Sequence, residues 1–248
     1  MRLSHRIKQW GADRLLKATY RVTQRMPLEV VQPPPGAKWL VIAPHNDDEV
    51  IGAGGLLSRL PGIPSSLCVL FVTGNEDADA DQDTKTRWQE SEQVRQIVGF
   101  KSQHLAFDDG AVERRADELS RVLASKIKEY PPDFIITPFP TDHHRDHQAV
   151  GVAVGQALSQ VDYQGEIWCY EIWSTIWPNM LLDISDVWEK KKQLIETYQS
   201  QVCALPYGEA ILGLNRYRGL KAGIDYAEAY YRCRSKQYQK ITNAMTRL

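Results

Sequence analysis

Short apolar runs separated by longer helical stretches are what most narrow the fold open to this chain. WLVIAP (39–44), SLCVLFVT (66–73), HLAF (104–107) and DFIITP (133–138) read as strands, and their near-continuous apolar character predicts burial on both faces. Helical stretches at 52–60, 84–98 and 114–130 lie between them. Strand and helix alternating at this spacing imply βαβ crossovers. The expected fold is α/β, a Rossmann-like, doubly wound and mostly parallel sheet flanked by helices in a single domain. EIWCYEIW (166–173) offers a further strand and 186–201 a further helix. After residue 205, YGEAILGLNRYRGLKAG reads as loop and DYAEAYYRCR as helix.

At 248 residues and 43% hydrophobic content the chain can bury a full core. Thirty Lys and Arg against 31 Asp and Glu leave a net charge of -1, which argues against duplex nucleic acid as a partner. The first 26 residues depart from that balance, with seven basic residues and one acid, Asp13. We read 1–37 as a basic arm closed by a Pro-rich connector, VQPPPGAK, and 38–248 as the folded domain. The arm suits packing on the domain or on a neighbouring subunit, and a peripheral contact with anionic lipid is its second reading. Four cysteines without CxxC spacing, no apolar run long enough to span a membrane and no apolar secretory core lead to an expected cytoplasmic location.

Ligands of doubly wound sheets bind at the carboxyl ends of strands. Two polar passages stand there: HNDDE (45–49) after the first strand and TDHHRDH (141–147) after the fourth. The glycines at 52, 54 and 55 do not form a dinucleotide fingerprint, because Leu57 occupies the place of the third glycine. Three acids would also repel a pyrophosphate at that turn. A cation balances them better. His45 and Asp48 can offer an imidazole and a carboxylate to one point, and His143, His144 and His147 supply further imidazoles. Two histidines and a carboxylate with open positions suit catalytic zinc, and the absence of thiolate leaves Fe(II) open.

These passages resemble the PIG-L/LmbE family of metal-dependent de-N-acetylases, whose pattern reads A-H-P-D-D-E and later H-P-D-H. Here they stand as Pro44-His45-Asn46-Asp47-Asp48-Glu49 and His144-Arg145-Asp146-His147. The likeness continues through TRWQESEQVRQIVGF, LAFDDG, YEIW, LLDIS, YQSQV and YAEAY, covering about residues 38–232. Asn46 and Arg145 each replace a proline usual in the family, and neither change removes a candidate ligand. The resemblance implies zinc held by His45, Asp48 and His147, and Asp47 as general base. His144 would stabilise an oxyanion or protonate the leaving amine, with Arg87 and Asp109 near the substrate.

The function so implied is hydrolytic removal of acetyl from an N-acetylated amino sugar such as an N-acetylglucosaminyl conjugate, with a homo-oligomer compatible with the family. A non-catalytic glycan-binding protein and an iron-dependent oxygenase are the rival classes. His104, outside both passages, reads as an ordinary core histidine.

Overall fold

The structure, a computed structural model, describes residue 14 and residues 28–60, 66–74, 81–204 and 206–245. Nearly all of the basic arm lies outside the described residues.

Eight strands form one sheet: β1 (Glu29–Val31), β2 (Trp39–Ala43), β3 (Leu67–Thr73), β4 (Lys101–Phe107), β5 (Phe134–Pro138), β6 (Glu166–Tyr170), β7 (Met180–Asp183) and β8 (Ala227–Arg234). Their order is β1-β7-β8-β6-β5-β2-β3-β4. Every pairing is parallel except those of β8, which runs antiparallel to both β6 and β7. The expected single-domain α/β architecture with a mostly parallel sheet is the one found.

Strand pleating explains why β2 and β3 read as unbroken apolar runs. Trp39, Val41, Ala43, Val69 and Phe71 face one core, whereas Leu40, Ile42, Leu70 and Val72 face the other. Helices α1 (Asp48–Arg59), α2 (Gln82–Val98), α5 (Trp188–Thr197), α6 (Gln199–Val202) and α7 (Tyr207–Leu220) cover the first face. Helices α3 (Ala116–Glu129), α4 (Arg145–Ser159) and α8 (Ser235–Met245) cover the second.

Three expectations are corrected. HLAF, expected to be buried on both faces, lies in the edge strand β4, where only Phe107 is buried. The stretch 207–220, read as loop, is α7; Gly208, Gly213 and Gly219 lower its helix propensity, but Ile211, Asn215 and Arg218 are buried and tertiary packing decides. DYAEAYYRCR, read as helix, contains β8. Both faces of β8 are covered, so it shows no period of two, and Glu228 is a buried charge that interrupts its apolar signal.

Strand β2 lies between β3, which follows it through α1, and β5, which arrives only after β4 and α3. The chain therefore reverses its direction of winding between β2 and β5. This is the topological switch point, where the carboxyl ends of neighbouring strands diverge and leave a crevice. His45 follows β2, Asp109 follows β4 and 141–147 follow β5, so all reach the same edge of the sheet.

Candidate metal centre and active site

Asp48 opens α1, and its carboxylate turns back to the strand end that precedes it. Its Oδ2 accepts the His45 backbone N–H at 2.8 Å and lies 3.1 Å from His45 Nδ1 and 3.1 Å from His147 Nε2. His45 Nδ1 and His147 Nε2 are 3.3 Å apart. These three atoms form a nearly equilateral triangle. Its sides approach the ~3.3 Å edge of a tetrahedron whose metal–ligand bonds are about 2.0–2.1 Å long. The donor set and spacing therefore fit a zinc ion with one face open. The three histidines His45, His144 and His147 also bring ligand atoms within 4.8 Å of one another, as do His45, Asp109 and Asp146. The Asp48 triangle is the more compact grouping.

Electrostatics agrees with the geometry. Asp48, Asp142, Asp146 and Asp109 surround the His45 and His147 imidazoles. Burial works against a charged His45, but hydrogen bonds to Asp109, Asp146 and Asp48 outweigh it and hold its pKa well above the usual value. For His147 burial is likewise overcome, here by Asp48 and Asp142, and the pKa rises to about 9. Asp48 is driven far below the carboxylate range by both imidazoles despite its burial. Two imidazolium protons are the charge equivalent of one divalent cation, which would release them on binding.

Around the triangle stand orienting groups that the motifs did not reveal. Asp146, fully buried, accepts the Gly110 N–H at 2.7 Å and the Val112 N–H at 3.2 Å, and its Oδ2 is 3.1 Å from His45 Nε2. Asp142 accepts the backbone N–H groups of His144 at 2.9 Å and Trp173 at 3.1 Å. Its Oδ1 is 3.4 Å from His147 Nδ1, which makes no hydrogen bond. The acids flanking a strand-end histidine pair are the signal that points to such partners, since ligating imidazoles are commonly oriented by carboxylates.

Asp47 precedes α1 with φ 122 and ψ -27, a region that a residue with a Cβ seldom occupies. Its N–H donates to Glu49 Oε2 at 3.0 Å, and Tyr198 donates to Glu49 Oε1 at 2.6 Å. Burial lifts the Glu49 carboxyl to about 8, with the Tyr198 hydroxyl opposing the shift. The strained turn is thus held from below by a buried acid and a tyrosine.

His144 caps α4, with Nδ1 accepting the Asp146 N–H at 3.3 Å. That contact places the ring proton of neutral His144 on Nε2. Burial, with the charges of His45 and His147, lowers its pKa. His143 has no place among the grouped ligand atoms.

Arg87 Nη1 meets Asp109 Oδ2 at 3.2 Å, and Asp109 Oδ1 is 3.4 Å from His45 Nε2, so the two form a chain that ends on His45. Hydrogen bonding to His45, with Arg87 beside it, lowers Asp109 to about 2. Asn46, which stands where the family has a proline, is spent internally. It is buried, and its amide lies 3.1 Å from His104 Nε2 and 3.5 Å from the Arg87 carbonyl. His104 stacks on Phe71 and so links the site to the core, as a structural histidine would.

Residues 40–158 match the PIG-L family, described as GlcNAc-PI de-N-acetylase. Diacetylchitobiose deacetylase from Thermococcus kodakarensis is 28% identical over 220 residues, covering 77% of this chain and 81% of that protein. The probable N-acetyl-alpha-D-glucosaminyl L-malate deacetylase 2 of Bacillus cereus is 27% identical, covering 67% of this chain and 84% of its own. Among solved structures, N,N'-diacetylchitobiose deacetylase from Pyrococcus horikoshii superposes with a TM-score of 0.68 at 22% identity, covering 92% of this chain and 94% of that one. The hydratase GalB of Pseudomonas putida superposes at 0.64 with 21% identity, covering 79% and 95%, so the fold alone does not decide the reaction. The resemblance carried by the sequence motifs holds over residues 40–158, the stretch that matches the PIG-L family.

Proposed function

We propose that this chain is a zinc-dependent hydrolase that removes acetyl from an N-acetylated amino sugar, an N-acetylglucosaminyl conjugate being the favoured substrate class. The observation that carries this reading is the triangle of Asp48 Oδ2, His45 Nδ1 and His147 Nε2, with Asp47 next in the chain. The sugar deacetylases among the curated relatives supply the substrate class.

In this reading His45, Asp48 and His147 would hold the metal, which when bound would supply Lewis acidity toward the amide carbonyl and water. Asp47 takes the proton of the attacking water, its carboxylate carried by the turn that Glu49 fixes. His144 presents Nε2–H to the carbonyl oxygen as negative charge develops there, or gives a proton to the departing amine, because Nδ1 is occupied by the Asp146 N–H. Arg87 and Asp109 line the approach to His45 and are assigned to substrate binding. Fe(II) suits the same nitrogen and oxygen donors.

Acetate released from a panel of N-acetylglucosaminides tests the reading, with Asp47→Asn and a chelator-treated sample in parallel. Release that requires both metal and Asp47 supports it. Release that survives either loss would remove the mechanism.

A further inference from the structure

Helix α1, which carries Asp48 at its start, is two helices in one. Ala53 has φ -139 and ψ 18, so the ladder breaks between 48–52 and 54–59. A break in a buried helix exposes carbonyls at the end of the first half and N–H groups at the start of the second, and each needs a partner. Here the partners come from two distant elements. Lys191 of α5, fully buried, donates from Nζ to the Ile51 carbonyl at 2.9 Å and to Glu228 Oε1 at 2.8 Å. Glu228 of β8, also buried, accepts the Gly55 N–H at 2.6 Å through Oε1 and the Leu56 N–H at 2.9 Å through Oε2. Tyr230 donates to Glu228 Oε2 at 2.7 Å. The ammonium sits at the carbonyl end of one half-helix and the carboxylate at the N–H end of the next, each in the sense that the helix dipole favours.

Close packing locks the arrangement. A Cβ on Gly55 would lie 2.4 Å from Ile184 and 2.9 Å from the Glu228 carboxyl carbon, so the helix can approach Glu228 only because that residue is glycine. The sequence stretches LLDIS and YAEAY, whose resemblance to the family had no chemical explanation, flank or contain these groups. Ile184 belongs to the first, Glu228 to the second, and Lys191 lies seven residues after Ile184.

We infer that Lys191 and Glu228 are positioning residues for the metal centre, a buried ion pair that splints the break in α1 and so fixes where Asp47 and Asp48 stand. The inference rests on the proposed role of Asp48 as a ligand. A rigid first half-helix keeps the Asp48 carboxylate in the triangle with His45 and His147, and the pair acts on it through the Ile51 carbonyl.

The test is the double variant Lys191→Met/Glu228→Gln, which removes both charges at nearly constant volume, with the half-buried Lys192→Met as control. The splint predicts that amides of 48–52 exchange at least 10-fold faster than in the native protein while those of β2 do not. It also predicts a zinc Kd, measured by chelator competition, at least 10-fold weaker. In any active protein kcat falls 10- to 100-fold with KM within about 3-fold. Exchange and zinc affinity both within 2-fold of the native values would overturn the splint. If the double variant does not fold, Tyr230→Phe decides, since loss of one hydrogen bond to Glu228 is expected to speed Gly55 and Leu56 exchange several-fold. No change there would also overturn it. A native protein that binds zinc and exchanges as predicted yet releases no acetate would sink the hydrolase reading and leave the splint standing.

Discussion

At the scale of single residues, the clustered acids behind β2 have different tasks. Asp48 points into the triangle, Asp47 sits on the strained turn, and Glu49 is buried beneath, pinning that turn with Tyr198. Asp47→Asn keeps size and removes the proposed base, so kcat is expected to fall by roughly 10²–10⁴, with unchanged zinc stoichiometry in metal analysis. Loss of zinc together with activity would instead make Asp47 a ligand. His104 gives a pH prediction. Burial lowers it to about 4 from its ordinary 6.5, so the unfolded chain binds the proton more readily between those values. Stability is full above about pH 6.5, erodes as the pH falls toward 4 and then levels off, by up to roughly 3 kcal/mol. Urea midpoints of native protein and His104→Gln at pH 7 and pH 5 should show a smaller drop in the variant, and equal drops would contradict the assignment.

Among elements, the loops at the carboxyl edge are held by buried charge. Arg218 of α7 donates to Glu171 Oε1 at 2.8 Å, Glu171 Oε2 accepts the Ile176 N–H at 2.9 Å, and Trp173 between them donates its N–H to Asp142. Arg218→Met strands the Glu171 carboxylate, and we expect a loss of about 3–5 kcal/mol in chemical denaturation. A loss under about 1 kcal/mol would mean that the loop relaxes to solvate the acid. Gly52→Ala would place a Cβ 2.4 Å from the Tyr170 ring, whose hydroxyl donates to the Ile42 carbonyl. The overpacking should cost about 1–3 kcal/mol, read as a lowered unfolding midpoint. Much of this level was legible in advance. Strands β2 to β6 and helices α1, α2, α3 and α5 carry apolar runs or helical spacing, and both polar passages sit where strands end, whereas the short strands β1 and β7 and helix α4 went unread. Helix α7 and β8 were not legible, because Arg218 and Glu228 are buried charges whose partners, Glu171 and Lys191, are 47 and 37 residues away. Asp142 and Asp146 escaped for a similar reason, since they act through backbone groups of other loops.

For the whole molecule, winding brings residues about a hundred positions apart, His45 and His147, to one point at the switch between β2 and β5. No helix among the described residues is long and apolar enough to cross a membrane. A centre with four carboxylates around two imidazoles should be stabilised when a divalent cation binds. Saturation at 100 times Kd contributes about 2.7 kcal/mol, visible as a rise in unfolding temperature on adding zinc to chelated protein. His147→Ala should abolish that rise. The most direct measurement of the central claim is acetate released from N-acetylglucosaminides by the zinc-loaded protein, against Asp47→Asn under the same conditions. Release by the native protein that drops at least 100-fold in the variant, with zinc retained in both, is the predicted result. Equal release by the two proteins, or a native protein that holds no metal, would contradict the claim.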